Sequence, residues 1–146
     1  MKKILMLVGR ICISLVFVTS ALSKIFSWDQ TVQFMTGSLS KLIAGTPMPD
    51  FMHGAITFIC SYAVFFLIIA TIFEVVGGLL VLLGFNAQFG AILLILFLLP
   101  VTIIMHPFWL ESGQEKTTQL AHFMTNLAIL GGLFILVAKG GDSEVS

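Results

Sequence analysis

A few side chains able to do chemistry stand inside otherwise apolar stretches of this chain. Arg10 and Glu74 carry formal charge there, and an ionised group in such surroundings must find a partner or change its protonation. Arg10 lies roughly 9 Å along the first apolar run by helical rise, and Glu74 roughly 15 Å from the end of the second. With antiparallel neighbours both fall in the same half, so the reach of arginine predicts that the two pair. Such a pair either fixes helix register or presents a proton-active carboxylate beside a small-molecule pocket. Gly77-Gly78, one turn beyond Glu74, allow either close helix approach or room for a ligand.

A second set lies toward the C-terminus. Gln119, His122 and Asn126 fall at i, i+3 and i+7, a single stripe on a helix. His106 and the following Pro107-Phe108-Trp109 belong to the same expected end, as does Lys24. Two histidines, an amide and aromatic rings suit hydrogen bonding to a quinone carbonyl, acceptance of its proton, or metal binding. Metal fits worst, because three or four ligands must converge and no HxxxH or HxxE spacing supplies them. His53, at a loop end, adds little. A bland alternative stays open, in which the histidines only cap and bridge helices. Cys12 and Cys60 form no CxxC pair and read as small buried hydrophobes. No phosphate-binding glycine loop, cysteine cluster motif or serine triad pattern is present.

The elements that position these groups follow from composition. Of 146 residues 58% are hydrophobic and 10% charged, and mean hydropathy is +1.10. A soluble domain is nearer half apolar and a quarter charged. Seven basic and seven acidic residues cancel, which excludes a nucleic-acid-binding polyelectrolyte. Disorder needs low hydrophobicity and high net charge, and is excluded too. The composition is that of a small integral membrane protein.

Each crossing helix needs about 20 mostly apolar residues. One span is expected at about 4–25. Ala21-Leu22-Ser23 resembles a signal-peptide cleavage site, but Arg10 interrupts the run and the remaining chain is itself membrane-bound, so a retained helix is expected. Glu74 is the only formally charged residue from Gly54 to Leu110, so that stretch must fold back at Gly84-Phe85-Asn86-Ala87-Gln88. Spans at about 57–83 and 89–105 result, the latter stopped by His106-Pro107. A last span covers about 119–138. Lys2, Lys3, Arg10 and Lys139 would face one side and Lys24, Lys41 and Lys116 the other. The N-terminal cluster predicts cytoplasmic termini.

The first loop has structure of its own. Ser27-Trp28-Asp29-Gln30 has the form of a capping box. Trp28, Val32, Met35, Leu39 and Leu42 then recur at helical spacing, opposite Asp29, Gln33 and Ser40. A short amphipathic helix in the membrane interface is expected, ended by Pro47 and Pro49. The fold class is therefore all-α: one transmembrane domain over 1–146, a four-helix bundle with an interfacial helix.

Three segments resemble the DoxX family of small four-helix membrane proteins. Glu74-Val75-Val76-Gly77-Gly78-Leu79-Leu80 is similar to its E-x-x-G-G-L-L element, and His106-Pro107-Phe108-Trp109 to its motif after helix three. His122 to Ala128, followed by Gly131-Gly132-Leu133, resembles its helix-four signature, with Thr125 where the family commonly has lysine. Arg10 through Ser23-Lys24 fits less specifically. The resemblance implies a bacterial inner membrane location and, through some members, association with quinone-linked oxidoreductases, including sulfur-related ones.

Two functions are carried forward. In one, the chain is the membrane subunit of a quinone-linked oxidoreductase. His106, His122 and Glu74 would be its reactive groups, and Asn126, Gln119, Trp109, Arg10 and Lys24 would line the ligand. With no flavin, haem or iron–sulfur motif to read, a soluble oxidoreductase subunit would supply the electrons, and no cofactor beyond quinone is expected. In the other, the chain is a non-catalytic adaptor or a carrier working as a homo-oligomer, with its glycine pairs as packing surfaces.

Overall fold

The computed structural model describes residues 1–142 of the chain. The expected domain runs to Ser146, and 143–146 lie outside the described residues, as do the side chains of residues 2 and 140–142. Among the described residues six α-helices follow one another: α1 (Lys2–Phe26), α2 (Trp28–Gly45), α3 (Asp50–Ser61), α4 (Ala63–Leu83), α5 (Ala87–Met105) and α6 (Gly113–Asp142). A 3₁₀ turn at Phe108–Leu110 joins the last two, and there is no strand among the described residues.

Among the described residues four segments are long and apolar enough to cross a membrane: Lys3–Phe26, Ala63–Leu83, Ala87–Leu110 and Gly113–Lys139. Large apolar side chains cover much of the exterior, among them Leu15, Phe65, Ile72, Leu96 and Phe134. In water that surface would drive association, whereas in lipid it is the expected solvated face. The spans pack in sequence, α1 on α4, α4 on α5 and α5 on α6. Phe17, Val81, Ala91, Leu94, Phe97, Leu98, Leu130 and Leu133 close the core between them.

Glycine sets the tightest crossing. A Cβ on Gly77 would stand 2.9 Å from the Gly90 carbonyl oxygen, and one on Gly90 equally close to that of Gly77. Gly77 therefore serves close approach of α4 to α5, whereas a Cβ on Gly78 would make only ordinary contacts with Phe17 and Val18 of α1. Gly132 meets Ile13, while Gly131 has open space.

The turn between α4 and α5 falls within the expected segment. Gly84 takes the left-handed conformation (φ 74°) that ends α4, and Asn86 (φ 50°) accepts from the Phe89 N–H to start α5. α5 stops at Met105, where His106-Pro107 follows. The start of the second span differs from expectation. Residues 57–61 belong to α3, the chain bends at Tyr62, and the span begins at Ala63. Periodicity cannot place that bend, since both sides of it are apolar.

The amphipathic helix forms as α2. Leu39 and Leu42 of its apolar face are buried, and Asp29, Gln33 and Ser40 are exposed. It packs against α3, α4, α5 and the 3₁₀ turn instead of lying apart from the bundle. The expected capping box does not form, because Ser27 makes no side-chain cap bond. Ser27 closes α1 through its N–H to the Ser23 carbonyl, and its own carbonyl starts α2 by accepting from Thr31. One residue ends one helix and begins the next, which leaves no separate N-terminus to box.

Candidate functional site

Register between α1 and α4 decides which charges meet. Arg10 lies level with the last turn of α4, donating from Nε to the Val81 carbonyl (2.8 Å) and from Nη2 to the Leu82 carbonyl (2.9 Å). Phe17 faces Gly78, and Lys24 faces Glu74. The expected pairing of Arg10 with Glu74 is therefore incorrect. The two helices do not end flush: α1 projects about two turns beyond α4, which puts Arg10 roughly 10 Å of helical rise from Glu74. Arg10 instead neutralises carbonyls that the end of α4 leaves unpaired, where the helix dipole also favours a cation. Its guanidinium packs over Gly84, in the space a Cβ would need.

Glu74 meets Lys24. Nζ donates to Oε2 at 2.7 Å and to the Ser20 hydroxyl at 2.7 Å. The Glu74 side chain is fully buried and that of Lys24 is 16% exposed. The ammonium also stands 5.1 Å from the centre of the Phe97 ring, over its electron-rich face. The other carboxylate oxygen, Oε1, is buried and hydrogen-bonded to no protein group. Among the described residues Lys24 is the one cation within ion-pair distance of Glu74.

Beside this pair is a cavity of about 250 Å³ between α4 and α5. Phe66, Ala70, Phe97 and Pro100 form its walls, Met35 of α2 and Ile59 of α3 close one side, and Lys24 is its sole charged lining residue. Pro100 stands inside α5 and donates no backbone hydrogen bond, so the helix is weakened along the cavity. A dry cavity of about 150 Å³ accepts benzene. There is accordingly room here for a substituted six-membered ring with one polar atom facing Lys24.

The expected histidine site is assembled elsewhere. The His106 and His122 rings stack at 5.2 Å, with 28° between their planes. Glu115 accepts from Gln119 Nε2 at 2.7 Å, which turns the Gln119 Oε1 toward His106 Nδ1 at 2.8 Å. That oxygen can only accept, so His106 carries its proton on Nδ1 and leaves Nε2 as an acceptor. Phe108 stacks edge-on against both Trp109 (5.3 Å) and Phe123 (5.2 Å), and Trp109 is exposed. Asn126 is half-buried on the same helix. None of His106, Trp109, Gln119, His122 or Asn126 lines the cavity beside Lys24.

Of the expected site residues, the structure thus joins Lys24 with Glu74 and His106 with Gln119 and His122, and holds Arg10 apart from both. Sequence reasoning missed the aromatic walls of the cavity and Ser20. The signals present were Pro100 within a span and the Thr31–Met35 side of α2, since both residues also line the cavity.

The DoxX family model matches residues 5–107, which takes in Arg10, Lys24, Glu74 and His106 and stops before α6. The chain is 29% identical over 145 residues to the inner membrane protein YphA of Escherichia coli (strain K12), covering 99% of this chain and 89% of that protein. No solved structure matches it.

Proposed function

The chain belongs to the DoxX family of membrane proteins, and from that footing we propose that it is the membrane subunit of a quinone-linked oxidoreductase, holding the quinone head in the α4–α5 cavity beside Lys24. The observation that carries this reading is the cavity itself, an apolar chamber of about 250 Å³ with one charged group in its wall. A pocket of that character suits an apolar ring whose orientation is fixed by a single polar contact. Lys24 would donate to a carbonyl of the head, Phe66 and Phe97 would pack on its faces, and the tail would leave between helices into lipid. Quinone supplies two-electron redox chemistry when bound, and a soluble oxidoreductase partner supplies the electrons. The protein's own part is to exclude water, orient the head and keep a cation at one carbonyl.

This reading moves the head group from the histidine stripe to Lys24, because the histidines lie outside the cavity. The test is purification in mild detergent, with co-extracted quinone sought by absorbance and mass spectrometry and an added short-tailed analogue titrated by fluorescence. Bound quinone, or saturable analogue binding weakened at least tenfold in the Lys24→Met/Glu74→Gln double variant, supports it. A preparation that holds no quinone and binds no analogue overturns it, and returns the chain to the adaptor or carrier reading.

A further inference from the structure

The Lys24 ammonium lies 5.1 Å from the centre of the ring of Phe97, a wall residue of the cavity, with a counter-ion behind it. Lys24 stands in the wall, while Glu74 is fully buried and is absent from the lining. A ligand polar group in the cavity therefore has Lys24, and not Glu74, as its neighbour. Two features set what such an arrangement can do. Oε2 accepts from Nζ and is the oxygen to which an ammonium proton can pass, while Oε1 makes no bond to the protein. In addition, the pair is neutral as a whole, and a membrane interior tolerates exchange of one ion pair for another far better than creation of a lone charge.

We propose that the cavity binds a lipophile through a weakly acidic hydroxyl, of the phenol or quinol class, and that the Lys24–Glu74 pair takes up its proton. This deepens the reading given above and rests on it. An ammonium proton passes along the existing hydrogen bond to Glu74 Oε2, and the hydroxyl O–H bond breaks as its proton passes to the amine nitrogen so freed. The electron pair of the broken O–H bond stays on the ligand oxygen, now an anion paired with Lys24. Glu74 ends as the neutral acid, with the proton on Oε2, the oxygen that faces Nζ. Atoms and charge balance: one cation and one anion are present before and after, no electron is transferred, and no proton leaves the protein. Ser20, which already accepts from Nζ at 2.7 Å, holds the ammonium in place while its counter-ion changes. The unpartnered Oε1, as the carbonyl oxygen of a neutral acid, is also cheaper to bury than an unpartnered carboxylate oxygen.

The probe is a lipophilic nitrophenol, whose anion absorbs visible light and whose neutral form does not. It is added to the full chain in detergent at a pH where it is neutral in solution, and proton release is followed in weak buffer. The expected result is the anion band on binding with no net proton release. Glu74→Gln removes the internal acceptor, so the anion band should persist with release of about one proton per bound probe. Lys24→Met/Glu74→Gln, which leaves no buried charge at the site, should bind the probe at least tenfold more weakly, and what binds should show the neutral spectrum. Binding to the wild type with the neutral spectrum, or an anion band with one proton released, overturns the proton transfer while leaving the cavity as a ligand site. Absence of any binding overturns both.

Discussion

Glu74 accepts a hydrogen bond from Lys24, fifty residues earlier in the chain, at 2.7 Å across the α1–α4 interface. The carboxylate is fully buried and the ammonium nearly so. Breaking a buried pair by removing one partner leaves an uncompensated charge, at a cost of about 3–5 kcal/mol. Lys24→Met and Glu74→Leu should each lower stability on that scale, and the double variant should lose less than either alone. Thermal unfolding in detergent measures it; strictly additive losses would mean the pair is not coupled.

Arg10 should behave independently of that pair. Its two bonds go to carbonyls at the end of α4, and Arg10→Gln removes both, at about 1.5–3 kcal/mol for a charged hydrogen-bond donor. Combined with Glu74→Gln, its effect should add within about 0.5 kcal/mol, as for separated sites. Gly84→Ala should also destabilise, since φ is 74° and the new Cβ would meet the Arg10 guanidinium. Arg10→Ala should relieve the collision but not the backbone strain.

The glycines of α4 and α6 predict opposite outcomes. Gly77→Leu would drive a side chain against the Gly90 carbonyl and Leu94, whereas Gly131→Ala meets nothing within 4 Å. Overpacking of this kind costs about 1–3 kcal/mol or more. Membrane accumulation measured by immunoblot should fall sharply for the first and stay at the wild-type level for the second.

How much of this was legible beforehand differs by element. Four spans, the turn at Gly84–Asn86 and the apolar stripe of α2 could be read, because each is a local pattern of hydropathy or backbone preference. The partner of Glu74 could not. Hydropathy marks where an apolar run ends, but two runs need not end flush, and the overhang of α1 changes which cation comes level with the carboxylate. The bend at Tyr62 is equally silent, being flanked by apolar residues on both sides. The cavity depends on how Phe66, Phe97 and Pro100 from two helices face one another, a relationship that neither helix records alone.

The second ion pair offers a control of the opposite character. Lys41 donates to Glu111 at 2.8 Å, tying α2 to the segment before α6, but Lys41 is 63% exposed. Exposed pairs contribute about 0–1 kcal/mol, so Lys41→Ala should barely alter stability. The hydrogen bond to Glu111, and then its charge, hold the Lys41 pKa above the ordinary lysine value. A raised pKa in the folded state means the contribution is complete below the unfolded lysine value and fades as pH rises through the folded one. Unfolding followed from pH 7 to strongly alkaline conditions should therefore show wild type and Lys41→Ala converging only at the alkaline end.

The histidine cluster should contribute to shape and not to ligand affinity. His122→Ala and Asn126→Ala are expected to retain quinone-analogue binding within about twofold, that is, within about 0.4 kcal/mol. Titration of each variant beside the Lys24→Met/Glu74→Gln double variant checks this, and loss of binding in the histidine variant alone would restore the stripe as the site.

The position of the ligand head is the point on which the functional account depends, and it can be mapped directly. A short-tailed quinone analogue bearing a photoreactive group on its ring can be crosslinked to the full chain in detergent, and the labelled peptides identified by mass spectrometry. Labels on α4 and α5 at Phe66, Ala70, Phe97 or Pro100, lost in the Lys24→Met/Glu74→Gln double variant, are the predicted result. Labels concentrated at His106, His122 and Asn126, and unchanged in that variant, would contradict it.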